Sequence, residues 1–151
     1  MIRTAADLVS FLEDTRLLEA FTRPELEVMA SVCRAIPLDP GDVLFQEGDP
    51  AVGLHLILEG RLAASRDGQE IGDLLEGDHL GEGALVDAGP RRVTVRAADP
   101  TTVATLSRDA FERLAEARPD VHARLLEAIL REMARKMRDA EGFLDTPGRF
   151  R

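Results

Sequence analysis

Between Ala35 and Ser107 no apolar run is long enough for a core helix. Gly and Asp break the pattern every six to ten residues or so, in "DPGD", "EGDPA", "LEG", "DGQ" and "EGD". The segments between these breaks are strand-length: "AIPL", "VLF", "LHLIL", "RLAASR", "EIGDLL", "RRVTVRAA" and "TTVATLS". Short strands at even spacing, each closed by a turn former, predict successive hairpins. A set of such hairpins buries its apolar faces as an antiparallel sandwich, jelly roll or barrel.

The flanks follow a different period. Thr4 is placed to cap a helix in "AADLVSFLED", with Asp7 three positions on and Leu8, Phe11 and Leu12 on one face. Pro24 suits the first turn of a second helix, which carries Leu26, Met29 and Ala30. Beyond Ser107, "RDAFERLAEAR" predicts a short helix stopping before Pro119. A long one follows in "PDVHARLLEAILREMARKMRDAE", with Gly142 as its expected end. The chain is expected to form a single domain: helices over 4–34, a β-roll over 35–107, C-terminal helices over 108–141 and a tail over 142–151.

Composition narrows the function classes. The chain has 151 residues with 28 acids against 19 bases, a net charge of −9. That balance disfavours bulk attraction to nucleic acid or anionic lipid, so any anion site must be local. No apolar run can span a membrane. The N-terminus carries acids and lacks a cleavage pattern, so a cytoplasmic location is expected. The single Cys33 excludes an internal disulfide. His55, His79 and His122 are far apart without His-X-His spacing, which argues against a metal site and leaves them as ordinary surface or half-buried residues. Ser65, Ser107 and Cys33 have no base at motif spacing, so no enzyme activity is expected. About ten residues remain after the long helix, too few for a helix-turn-helix, so direct DNA reading is not expected.

The stretch "GEGALVDAGPRRVTV", Gly81 to Val95, carries the chemistry. If "RRVTVRA" is a strand, Val93, Val95 and Ala97 share its inner face and Arg91 has the same parity. An inward arginine needs a partner, and a guanidinium favours carboxylate or phosphate. Gly81, Gly83 and Ala84 let backbone approach a ligand closely, and "EGALVD" has the length of one helical turn, whose first amides lack internal partners. Two arrangements satisfy these residues. Glu82 and Arg91 form an internal ion pair, or Arg91 takes a phosphate while Glu82 accepts from a hydroxyl of the same ligand.

These residues resemble the cyclic nucleotide-binding domain family, whose phosphate cassette reads roughly Phe-Gly-Glu-(Leu/Ile)-Ala-Leu, a gap, then Pro-Arg-(Ala/Thr)-Ala. This chain has "LGEGALVDAGPRRV", so Gly81, Glu82, Ala84, Leu85, Pro90 and Arg91 fall on matching positions. Hairpins upstream and helices downstream extend the similarity over about residues 17 to 141. The resemblance implies an α+β, mainly β fold: an eight-stranded antiparallel, jelly-roll-like β-roll flanked by N-terminal helices and by a short plus a long C-terminal helix. It implies that Glu82 takes the ribose 2′-hydroxyl and Arg91 the cyclic phosphate. Amides near Gly83, Ala84 and Arg92 complete the phosphate shell, Val93 and other strand residues line the base, and the long helix acts as a lid through Lys136, Met137, Ala140 or Phe143, with Met137 preferred.

Three positions depart from the family: Gly83 replaces Leu or Ile, Leu80 replaces Phe, and Arg92 stands where Ala or Thr is usual. Arg92 can join the phosphate, face solvent or pair with Asp87. Without the Thr or Ser that bonds guanine, cAMP is favoured over cGMP. The expectation is a stand-alone, metal-free sensor acting on an unidentified protein partner or on a homodimer built through the long helix, whose apolar stripe includes Leu126 and Leu130. The alternative is a degenerate module that binds no nucleotide and serves as an interaction domain.

Overall fold

The computed structural model describes residues 2–144, the last five by backbone alone. The expected tail beyond 144 and the side chain of Phe143 lie outside the described residues. Two helices open the fold. α1 (Ala5–Glu13) and α2 (Arg23–Val32) each begin with a capping box. Thr4 accepts from Asp7 N–H and Thr22 from Glu25 N–H, and each acid bonds back to the capping residue's own N–H. Each box satisfies amides that a helix end otherwise leaves unpaired.

Eight strands follow: β1 (Arg34–Leu38), β2 (Val43–Phe45), β3 (Gly53–Glu59), β4 (Arg61–Arg66), β5 (Gln69–Leu75), β6 (His79–Leu80), β7 (Thr94–Ala97) and β8 (Thr101–Ser107). A 3-10 turn, Glu82–Leu85, lies between β6 and β7. The strands form two antiparallel four-stranded sheets, in the orders β1-β8-β3-β6 and β2-β7-β4-β5. Every connection except β4–β5 passes from one sheet to the other, and these crossings make the roll. The "DG" signal is the turn between β4 and β5, where Asp67 and Gly68 have φ of 52° and 79°. Positive φ at both central positions matches the twist of a two-residue hairpin.

The strand expected over "RRVTVRAA" is shorter than predicted, because regular pairing begins at Thr94. Arg91 is held outside it, by Asp49 O accepting from Arg91 N–H and Arg91 O accepting from Gly48 N–H, each at 2.8 Å.

The core has two parts. One fills the space between the helices and the outer face of the β1-β8-β3-β6 sheet, with Leu12, Leu18, Met29, Leu54, Leu56 and Leu106 all within 1% of fully buried. The other fills the roll itself, around Ile57, Leu62, Val95 and Val103. Strand β3 lies between them, which explains why "LHLIL" shows no polar alternation: both its faces are covered.

Two further helices complete the described residues. α3 (Arg108–Ala117) is capped by Ser107, whose hydroxyl accepts from Ala110 N–H. α4 (Pro119–Leu144) has 26 residues, a rod of about 39 Å. It continues through Gly142 to Leu144 and so does not stop where the glycine suggested. A glycine costs a helix only about 1 kcal/mol and ends it only when it adopts the left-handed conformation. Val121, Leu125 and Ile129 anchor the first half of α4 in the helical core, while Leu130 and Met137 are exposed. Among the described residues, no helix is long and apolar enough to cross a membrane.

Candidate functional site

Gly81 turns the chain into the 3-10 segment with φ of 80°, a conformation that costs a side-chain-bearing residue about 1–2 kcal/mol. A Cβ there would lie 2.5 Å from Arg91 Nη1 and 2.8 Å from Gly53 O. The missing side chain is therefore the space in which the guanidinium lies. A Cβ on Gly83 would meet nothing within 4 Å, so its smallness answers to no protein neighbour.

Arg91 enters the mouth of the roll as parity predicted, although from irregular backbone. Its Nη2 donates to Gly53 O at 2.9 Å and lies 3.3 Å from His55 Nε2. Its guanidinium carbon sits 4.1 Å from the centre of the Phe45 ring, in cation–π range. Burial draws its pKa down from the usual arginine value, yet a guanidinium stays charged in proteins. Among the described residues no carboxylate pairs with Arg91, and its Nε is buried without any hydrogen-bond partner. An unmet buried donor costs about 1–3 kcal/mol, which a bound anion offsets.

A cavity of about 450 Å³ opens beside this group. Arg91, Gly81, Gly83, Ala84, Arg92 and Val93 are among the residues that line it. Ala84 contributes a wall, because its N–H already donates to Gly81 O at 3.0 Å. Arg92 is exposed at the rim; its carbonyl accepts from Arg66 Nε at 3.2 Å. Val93 is half-buried and packs on the core of the roll.

Glu82 is buried to 7% exposure at the head of the 3-10 turn. The ion pair left open in the sequence, Glu82 with Arg91, is not formed. Glu82 pairs instead with Lys136 of α4 and stands 3.8 Å from His79 Nε2. Burial raises the Glu82 pKa, but the Lys136 hydrogen bond and charge outweigh it, and the carboxyl ends below its usual range. His79 also faces Glu132 of α4 at 4.0 Å, and burial lowers its pKa despite these two carboxylates. The helix residue that reaches the site is thus Lys136. Met137 is 64% exposed and does not line the cavity.

Sequence reasoning missed the role of His55. It treated the residue as ordinary, whereas the structure buries it to 6% exposure behind Arg91, with burial and then the Arg91 charge lowering its pKa to about 4. The signal was parity within "LHLIL": His55 shares a face with Ile57, which points into the roll.

Residues 35–118 match the family model of the cyclic nucleotide-binding domain. A cAMP-dependent protein kinase regulatory subunit from Hypocrea atroviridis is 34% identical over 105 residues, covering 70% of this chain and 23% of that protein. The acetyltransferase Pat of Mycolicibacterium smegmatis is 41% identical over 108 residues, covering 67% of this chain and 32% of that protein. The crystal structure of a cyclic nucleotide-binding domain from Methylobacillus flagellatus superposes with a TM-score of 0.77 at 26% identity, over 95% of this chain and 85% of that one. The chain spans about a quarter of the length of the kinase regulatory subunits it matches.

Proposed function

This chain belongs to the cyclic nucleotide-binding domain family, and on that premise we propose that it is a non-enzymatic sensor, taking cAMP in preference to cGMP into the cavity beside Arg91. One observation carries the reading: a half-buried guanidinium with no carboxylate partner among the described residues and an unmet Nε donor faces a cavity of about 450 Å³. A cyclic phosphate bears one negative charge and suits a single arginine. Gly81 and Gly83 let the phosphate approach the backbone, and Glu82 accepts from the ribose hydroxyl. The preference for cAMP rests on the family pattern, since Arg92 offers no hydroxyl to guanine.

The signal passes through α4. Glu82 accepts from Lys136 in the structure, so a ribose hydroxyl arriving at Glu82 competes with the helix for the same carboxylate. Met137, now exposed, closes over the base once α4 moves. The output is a protein partner or a second copy. Leu126, Leu130, Met133 and Met137 follow a 4-3-4 spacing, the seam of a two-helix coiled coil, and Leu130 and Met137 are 63% and 64% exposed. We assign the domain, taken as one unit over the whole chain, to the cytoplasm, with no metal, no membrane contact and no DNA contact.

A second reading has an observation of its own. The Lys136–Glu82 pair, with Gly83 and Arg92 off the family pattern, also suits a module that has given up nucleotide and serves only as an interaction domain. Calorimetric titration with cAMP and cGMP, repeated on Arg91→Ala, separates the two. Saturable binding lost in the variant supports the sensor; flat traces with both nucleotides leave the interaction module. Thermal shift gives a parallel readout, because ligand at 100-fold its dissociation constant adds about 2.7 kcal/mol.

A further inference from the structure

His55 belongs to β3 and sits directly opposite Thr105 of β8. Its Nδ1 is 2.8 Å from Thr105 Oγ1, and its Nε2 is 3.3 Å from Arg91 Nη2. A guanidinium has donors only, so Nε2 must be the acceptor and the ring proton must sit on Nδ1, donated to Thr105. The Phe45 ring stacks on His55 with centroids 5.8 Å apart and also lies under Arg91. Gly53 O, His55 and Phe45 therefore grip the guanidinium on its inner side, with the Arg91 charge against the imidazole.

We propose that His55 is a positioning residue for the anion site: a neutral imidazole, protonated at Nδ1, that accepts from Arg91 Nη2 and aims the guanidinium at the phosphate of a bound cyclic nucleotide. This rests on the reading that the cavity takes such a ligand. The reason for a histidine is electrostatic. A carboxylate at this place would orient Arg91 equally well but would neutralise it, and the phosphate would then compete with a buried anion. A neutral acceptor orients the guanidinium and leaves its charge for the ligand. The donor-only guanidinium fixes the tautomer, and the Thr105 hydroxyl, which can accept or donate, takes the Nδ1 proton.

The test uses the full chain. Nitrogen-15 NMR of the imidazoles at neutral pH should find His55 neutral and protonated at Nδ1, with that tautomer relaxing in Arg91→Ala. In cAMP titrations, His55→Phe keeps the ring but loses the acceptor and should weaken binding about tenfold, the order of one lost charged hydrogen bond. His55→Gln restores an acceptor and a donor, and should recover to within about threefold of wild type. A packing role alone would spare His55→Phe and give no such rescue. Protonation of His55 at Nε2 in the wild type, or unchanged cAMP affinity in His55→Phe, overturns the proposal. If the wild type takes up neither nucleotide, the sensor reading fails on its own, and the tautomer spectrum alone decides whether His55 holds Arg91: the Nδ1 form sustains the hold and the Nε2 form refutes it.

Discussion

Lys136 reaches from α4 to the carboxylate of Glu82, fifty-four residues earlier in the chain, and ties the long helix to the first residue of the 3-10 turn. Only α4 and its anchor in the helical core bring the two together. The side chain of Lys136 is 55% exposed and that of Glu82 only 9%. A half-solvated pair of this kind is worth about 1 kcal/mol at most. The acid therefore keeps its place while the lysine can leave at low cost, the asymmetry that a release step needs.

Lys136→Ala should free Glu82 for a ribose hydroxyl and tighten cAMP binding by up to about fivefold, the equivalent of that pair energy. Amide exchange over residues 130–139 should quicken in the variant without ligand and change little more on adding it. A loss of affinity beyond tenfold would instead make Lys136 a direct ligand contact.

Gly81→Ala should disable the site through its geometry. The left-handed φ alone costs about 1–2 kcal/mol. The new methyl would also lie 2.5 Å from Arg91 Nη1, so the guanidinium must move. A lower melting temperature together with at least a tenfold loss of cAMP affinity is expected. Gly83→Ala is the contrast: open space around it predicts a stability change within about 0.5 kcal/mol. Equal melting temperatures for the two variants would contradict this account.

Stability should fall as the medium is acidified from pH 6.5 towards 4. Burial, then the Arg91 charge, lowers the His55 pKa from 6.5 to about 4. Over that window the unfolded chain takes up the proton and the folded one resists it. The histidine's contribution is therefore complete above pH 6.5 and lost on the way down, on the order of 3 kcal/mol in all. Burial lowers His79 too, and adds with the same sign. The depressed Glu82 acts lower, its share being present above its unfolded value of 4.5 and lost as pH drops through the folded value. Melting temperature followed from pH 7 to 4.5 should fall less in His55→Phe than in the wild type; parallel curves would refute the assignment.

α4 should divide into an anchoring half and an output half. Leu125→Ala removes a side chain with no exposed surface and should cost about 2–5 kcal/mol in denaturant unfolding. Leu130→Asp and Met137→Asp alter exposed positions and should leave monomer stability within about 0.5 kcal/mol. The same two variants should abolish self-association in sedimentation equilibrium if the heptad seam is the dimer contact. A dimer that persists in both would place the interface elsewhere.

Much of this was legible along the chain because the causes are local. Thr4 with Asp7 and Thr22 with Glu25 write their helix starts within four residues. Asp67-Gly68 writes its hairpin within two. The cassette around Glu82 and Arg91 was readable because one turn and one short segment hold both. Arg91 faces the roll although regular pairing starts at Thr94 and Arg92 and Val93 form a bend, since Gly48 and Asp49 pair with the Arg91 backbone and hold it there.

The sequence alone determined the periods, caps and turns, and hence two helices, a roll of short antiparallel strands and two more helices, with an arginine of inward parity following a glycine-rich turn. Only the tertiary structure decided who partners whom. His55 and Arg91 are 36 residues apart and Glu82 and Lys136 54, so no local pattern encodes either contact. Partner choice for a buried charge depends on which groups share its low-dielectric surroundings, and packing settles that only after the sheets and α4 have closed.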